Sequence, residues 1–274
     1  MYIDLYSIDI FKTLIWDFYR KNKRQFAWRN AQDPYAIVVS EIMLQQTQTY
    51  RVEQKFKDFA KKFSNFYELA QSPLISVLEA WQGLGYNRRG KFLHQIAQKV
   101  MSEYDGILPD SPDILITFPG LGHATASSIC AFAFNKPTVF IETNIRTVFI
   151  HHFFQDNITA ISDKDLLPIV AATLDHANPR EWYYALMDYG VFLKKLVPNP
   201  SRRSSHYTKQ SRFEGSDRQI RGAIVRLLIK DELVSQEHLI TAFTGEDLSR
   251  VKRIVEQLIK EGLIAREADY LHIS

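Results

Sequence analysis

Apolar residues recur at helical spacing along almost the whole chain, and Pro or Gly stands at most places where the pattern stops. A period near 3.6 broken in this way describes short amphipathic helices packed on one another. Asp33-Pro34 supplies an N-cap followed by proline at the first helical position, which predicts a helix to about Tyr50. FKDFAKKFSNFYELA, LISVLEAWQGLGY and GKFLHQIAQKVMSEY read as further amphipathic helices. DSPDILITF ends at Pro119-Gly120-Leu121-Gly122, and HATASSICAFAF starts another helix at once. After KPTVFIETN, helices resume through IRTVFIHHFF, KDLLPIVAATLDHA and REWYYALMDYGVFLKKL.

Segment 196–216 is rich in Pro, Ser and Asn and reads as a loop, beyond which the pattern changes. RQIRGAIVRLLIK is one helix, QEHLITAFTG and DLSRVKRIVEQLIKEG form a helix–turn–helix pair, and LIAREADYLHIS reads as two short strands. Three helices and a two-stranded wing predict a winged helix over 214–274. On its third helix Leu248, Val251, Ile254, Val255 and Leu258 form the inner stripe, and Ser249, Arg250, Arg253 and Gln257 face outward. Outward residues of this kind enter the major groove in DNA-binding winged helices; other winged helices dock proteins.

With 274 residues, 46% of them hydrophobic, the chain has material for two domains. No apolar run approaches the roughly 18 residues of a membrane span, and MYIDLYSIDIFK lacks the basic start of a secretory signal. Cys130 is the single cysteine, so an intramolecular disulfide and an all-cysteine metal site are excluded. Among Ile129, Ala131 and Phe132 it reads as a small buried hydrophobe, and the expected compartment is the cytoplasm. His151 and His152 are adjacent rather than four apart, so no metal site is expected there. Net charge is only +3, yet KKLVPNPSRRSSHYTKQSR (194–212) carries six Lys/Arg and no acid. Residues 86–99 carry four more. Solvated faces and phosphate contacts are both open readings of such runs.

Two features carry chemistry. Glu41 lies in SEIMLQQTQ (40–48), and at helical spacing its neighbours are Ile37, Val38, Leu44 and Gln45. Such surroundings desolvate a carboxylate, raise its pKa and suit a general acid; a structural Glu reaching solvent or pairing with Arg is the plainer alternative. Phe118-Pro119-Gly120-Leu121-Gly122 lies between two helices, where tight-turning glycines and helix N-terminal amides grip a phosphate. Glu142 and Asn144 stand polar within the apolar frame of PTVFIETNIRTVF.

The chain resembles the helix–hairpin–helix DNA glycosylase superfamily of the endonuclease III type, and within it the adenine DNA glycosylases of the MutY type. The matching residues are Trp28-Arg29, Asp33-Pro34-Tyr35, SEIMLQQTQ, WQGLGYNRRGKFL (81–93), FPGLGHATA (118–126) and MDYG (187–190). The resemblance implies an all-α fold of two helical subdomains with the active-site cleft between them. It assigns 1–29 with 145–213 to one subdomain and 30–144 to the other, with the winged helix at 214–274. It also implies double-stranded DNA with a mispaired or damaged base as partner, and a monomer.

Position by position, Glu41 matches the acid that protonates adenine at N7. Glu142 stands where the family has an aspartate that stabilises the oxocarbenium ion, and Asn144 matches a residue bonded within that site. Arg29, Gln46, Thr47, Leu84, Tyr86 and Asp188 match substrate-binding positions. Gly120, Gly122, His123 and Thr125 of the hairpin, with Arg202, Arg203 and Lys209 of the basic loop, are the expected phosphate contacts. Flipping the target base out and dividing labour between two carboxyls suits such a site.

Four departures matter. Glu142 is one methylene longer than the family's aspartate. Ala124 stands where lyases of the superfamily carry lysine, so a monofunctional enzyme is expected. The cysteines of the iron–sulfur cluster are absent, with Lys194–Arg212 in their place, so no cofactor is expected. The family's 8-oxoguanine-recognition domain is replaced by the winged helix. The expected activity is removal of adenine mispaired with 8-oxoguanine or guanine. The alternatives are a thymine or uracil mismatch glycosylase, and a non-catalytic DNA-binding protein.

Overall fold

The computed structural model describes residues 5–31, 33–155 and 160–274. In chain order the helices are α1 (Leu5–Asn22), α2 (Pro34–Leu44), α3 (Thr49–Lys62), α4 (Phe66–Gln71), α5 (Leu74–Trp81), α6 (Arg88–Glu103) and α7 (Pro112–Leu115). They continue with α8 (His123–Phe134), α9 (Thr143–Phe153), α10 (Asp163–Thr173) and α11 (Pro179–Leu196). The C-terminal elements are α12 (Asp217–Asp231), β1 (Leu233–Ser235), α13 (Gln236–Ala242), α14 (Leu248–Lys260), β2 (Ile264–Glu267) and β3 (Tyr270–Ile273). Single 3₁₀ turns cover Ala27–Arg29 and Pro200–Arg203.

Local sequence sets most boundaries. Asp33 caps α2 as expected, its Oδ1 accepting from the Tyr35 amide at 3.0 Å. The helix stops at Leu44 rather than near Tyr50, because Gln46 turns the chain in the left-handed region at φ 53°. FKDFAKKFSNFYELA is likewise two helices, broken by capping and not by Pro or Gly. Asn65 Oδ1 accepts from the Glu68 amide at 2.9 Å, and Glu68 accepts from the Ser64 amide at 2.7 Å.

The chain divides into two compact units. The first comprises Met1–Ile37, Asp110–Thr117 and Leu121–Lys209. Its core is aromatic. Trp182 and Tyr183 of α11 are fully buried, Phe132 of α8 stacks on Tyr184 with centroids 4.5 Å apart, and Phe140 meets Tyr183 at 4.1 Å. These ring contacts explain why residues 121–144 belong with α11, although the sequence grouped them with 30–120. Cys130 of α8 is fully buried as expected, and burial pushes its thiol up to about 11.

The second unit comprises Val38–Pro109, Phe118–Gly120 and Gln210–Ser274. Its C-terminal part contains the three expected helices and the β2–β3 hairpin, plus a strand the sequence reading missed. The sheet order is β1-β3-β2, all antiparallel, with Leu233 opposite His272 and Ile264 opposite Ile273. Val251, Ile254, Val255 and Leu258 are buried as expected, but Leu248 is 43% exposed at the helix start. This part does not stand alone as the 214–274 boundary implied. Leu78 of α5 lies in the same hydrophobic cluster as Ile224, Leu228, Ile254 and Leu271, with Leu74 and Ile75 packed against it. Lys91 of α6 adds a polar tether, donating to the carbonyls of Glu261 (2.6 Å) and Gly262 (2.8 Å).

Candidate active site

Helix α9 opens on Glu142, which is its N-cap. Glu142 Oε1 accepts from the amides of Asn144 (2.7 Å) and Ile145 (2.9 Å), so the carboxylate closes the first turn of its own helix. Oε2 accepts from Asn144 Nδ2 at 3.2 Å. Asn144 Oδ1 in turn accepts from Lys194 Nζ at 2.6 Å. The result is a chain from ammonium to amide to carboxylate, all half-buried in the first unit. Burial lowers the Lys194 pKa, and the neighbouring Glu142 charge opposes that shift. Close approach of α11 makes it possible. A Cβ on Gly190 would sit 2.6 Å from the Asn144 carbonyl oxygen, so only glycine fits in MDYG.

A second polar group lies in the same unit. Arg29 and Asp188 form a bidentate pair, Nη1 to Oδ2 at 2.8 Å and Nη2 to Oδ1 at 2.7 Å. Arg24 adds its amide at 2.9 Å and its Nε at 2.6 Å. Asp188 is only 3% exposed. Both had been expected to bind substrate. With four donors on its oxygens, Asp188 instead anchors the two arginines.

Glu41 is half-buried on α2, between the buried Ile37 and Val38 on one side and Ile42 and Met43 on the other. It belongs to the second unit, whereas Glu142 and Asn144 belong to the first. The turn that follows α2 is organised by Arg89, which the sequence reading counted only as part of a basic stretch. Arg89 Nη1 donates to the carbonyls of Ile42 (3.0 Å), Met43 (2.9 Å) and Gln45, and Nη2 to Thr47 Oγ1 (2.9 Å). Nη2 also reaches the carbonyls of Leu84 (3.2 Å) and Gly85 (3.0 Å). The orphan carbonyls at the α2 terminus thereby find a cation, and burial lowers the arginine's pKa to about 10. Nothing in YNRRGK separates this buried arginine from the exposed Arg88.

That staple leaves the expected DNA-facing residues unequal. Gln46 is exposed and Thr47 half-buried. Leu84 is only 2% exposed, so it packs in the core rather than facing a substrate. Tyr86 is 37% exposed at φ 49°, and its hydroxyl accepts from Arg218 Nη1 (2.9 Å) and from Gln210.

In the hairpin, Gly120 has φ 72° and a Cβ there would meet the Phe92 ring at 2.3 Å, which leaves no alternative to glycine. Helix α8 opens at Gly122 without a side-chain cap; His123 and Ala124 are exposed and Thr125 is half-buried. A helix N-terminus of this kind suits a phosphate. In the basic segment Arg202 and Lys209 are exposed. Arg203 is not available as expected: it is half-buried and donates to the Phe154 carbonyl at 2.5 Å. On α14, Arg250 and Arg253 are likewise drawn away, both bonding Asp217 of α12 (2.7 and 2.8 Å).

The glycine hairpin before α8, the acid on α2 and the donor-held carboxylate at the start of α9 are the features expected from the resemblance. Residues 39–167 match the HhH-GPD superfamily of base excision DNA repair proteins. The chain is 29% identical to the adenine DNA glycosylase of Mycobacterium tuberculosis (strain CDC 1551 / Oshkosh), over 92% of this chain and 89% of that protein. It is also 29% identical to the adenine DNA glycosylase of Mycolicibacterium smegmatis, over 96% of this chain and 94% of the relative. A solved thermostable thymine-DNA glycosylase shares the fold, with a TM-score of 0.61 and 24% identity over 68% of this chain and 86% of that one. Among the described residues no helix is long and apolar enough to cross a membrane.

Proposed function

We propose that the chain is a monomeric, monofunctional adenine DNA glycosylase that works without an iron–sulfur cluster. It hydrolyses the N-glycosidic bond of adenine mispaired with 8-oxoguanine or guanine in double-stranded DNA. The observation that carries this reading is a match to adenine DNA glycosylases over nearly their whole length, in a chain with an acid at Glu41 and a donor-held carboxylate at Glu142. Glu41 protonates the leaving base, so that adenine departs neutral. Glu142 presents negative charge to the cationic sugar, and Asn144 holds it in place. Exposed Arg202 and Lys209 and the α8 N-terminus take phosphates.

Two sequence features support the finer points. Ala124 offers no amine for a Schiff base, and one cysteine cannot supply the four thiolates that clusters of this kind require. The test is purified protein against duplexes carrying every mispair, with and without 8-oxoguanine, with strands resolved before and after alkali. Adenine-specific cleavage that appears only after alkali is expected. Glu41→Gln should slow single-turnover excision by about 10²-fold or more, in line with loss of a general acid. Excision of thymine or uracil opposite guanine, with adenine untouched, would overturn the reading.

A further inference from the structure

The basic segment that begins at Lys194 was expected to face DNA, yet its first residue turns inward. Lys194 lies one helical turn after Gly190 on α11, the glycine that lets this helix approach Asn144. Its ammonium makes one hydrogen bond among the described residues, to Asn144 Oδ1 at 2.6 Å. The next residue, Lys195, is exposed. The two neighbours therefore do different work.

We propose that Lys194 is a positioning residue of the glycosylase site, acting through Asn144 on Glu142. This rests on the assignment of Glu142 and Asn144 above. The argument is one of donors and acceptors. An ammonium only donates, so the Asn144 atom that faces it must be the oxygen. The amide nitrogen is then left pointing at Glu142 Oε2, 3.2 Å away. Without Lys194 the amide is free to turn over and set its oxygen against the carboxylate, where two acceptors repel. Glu142 has one more rotatable bond than the aspartate expected there, so it needs this restraint more than a shorter side chain would. Misplacing a reacting group by about an ångström costs up to about a hundredfold in rate.

The test compares Lys194→Met, Lys194→Arg and Lys195→Met with the wild type. Single-turnover excision from an adenine:8-oxoguanine duplex is measured at saturating enzyme. Kd is measured separately for the same duplex with a tetrahydrofuran abasic analogue in place of the adenosine. Lys194→Met should slow excision about 10- to 100-fold, while Kd changes by less than about threefold and the thermal melt is retained. Lys194→Arg, which keeps a donor, should recover much of the rate and guards against a folding defect in the methionine variant. Lys195→Met should leave the saturated rate unchanged. If Lys194→Met excises at the wild-type rate, Lys194 positions nothing. If Kd weakens and the saturated rate holds, Lys194 is a phosphate contact and the proposal fails. A wild type that excises no adenine opposite any base sinks the glycosylase reading itself, which separates the two failures.

Discussion

Two buried arginines, one in each unit, show how differently the units hold their polar interiors. Arg29 meets a carboxylate, Asp188, in a bidentate pair whose side chains are 4% and 1% exposed. Arg89, 7% exposed, has no carboxylate partner among the described residues; it meets backbone carbonyls, the Thr47 hydroxyl and the rings of Trp81 and Tyr86. The first arrangement gives the buried guanidinium a counter-ion and locks α11 to the 3₁₀ turn at Ala27–Arg29. The second leaves an uncompensated cation beneath the turn at Gln45–Thr47. A buried cation without a counter-ion is costly, and burial accordingly lowers its pKa. The comparison teaches that a buried arginine is held by a carboxylate in the first unit and, among the described residues, by backbone and side-chain dipoles and rings in the second.

Removing the counter-ion of the bidentate pair should have the largest effect. Asp188→Ala leaves Arg24 and Arg29 without the carboxylate they share. Destabilisation of about 3–5 kcal/mol is expected, the usual result of breaking a buried pair at one partner. Urea unfolding followed by far-ultraviolet circular dichroism measures it. A loss below about 1 kcal/mol would mean that Asp188 is dispensable for the fold, and its substrate-binding role would return to consideration.

The second unit stores its stability in apolar contact, and Leu78 is the place to test that. This side chain is fully buried, in one cluster with α12, α14 and β3. Leu78→Ala should cost about 2–4 kcal/mol. The same substitution should raise amide exchange in α12 and α14, because they share the core that it opens. If exchange there is unaltered, the C-terminal part folds independently of α5, as its sequence boundary suggested.

The difference between the units also explains what could be read from sequence. Helix positions, the glycines of FPGLG and MDYG, the burial of Cys130 and the C-terminal helices follow from periodicity and local sterics, which act over a few residues. Glu142 and Asn144 stood out as candidates because polar residues in an apolar frame need a reason. Arg89, Lys194 and the anchoring of Asp188 did not. Each is defined by a partner far along the chain: Arg89 by carbonyls of α2, Lys194 by Asn144, Asp188 by Arg24 and Arg29. A carbonyl carries no sequence signature, so no pattern marks Arg89 apart from Arg88. Only Lys194 left a trace, through its helical spacing from Gly190. The split of Glu41 and Glu142 between units is likewise a property of packing that spacing does not encode.

The smallest expected effect is a pH dependence confined to the first unit. His152 on α9 contacts the Tyr189 hydroxyl at 3.1 Å and meets the Phe11 ring edge-on at 5.3 Å. Burial, and secondarily the charge of His151, lowers its pKa from 6.5 to about 4. The folded state therefore holds this imidazole neutral, while the unfolded state binds a proton below about pH 6.5. Its contribution to stability is complete above that value, falls between pH 6.5 and 4, and levels off below. Partial exposure limits the loss to about 1–2 kcal/mol. His152→Gln removes the titration, so the gap in urea midpoint between wild type and variant should narrow as pH drops from 7 to 4.5. A gap that stays constant would show that His152 titrates near its ordinary value, and a widening gap that it is charged inside the fold. In either case the contrast drawn here would lose one of its supports, because the first unit would then carry an uncompensated cation as the second does.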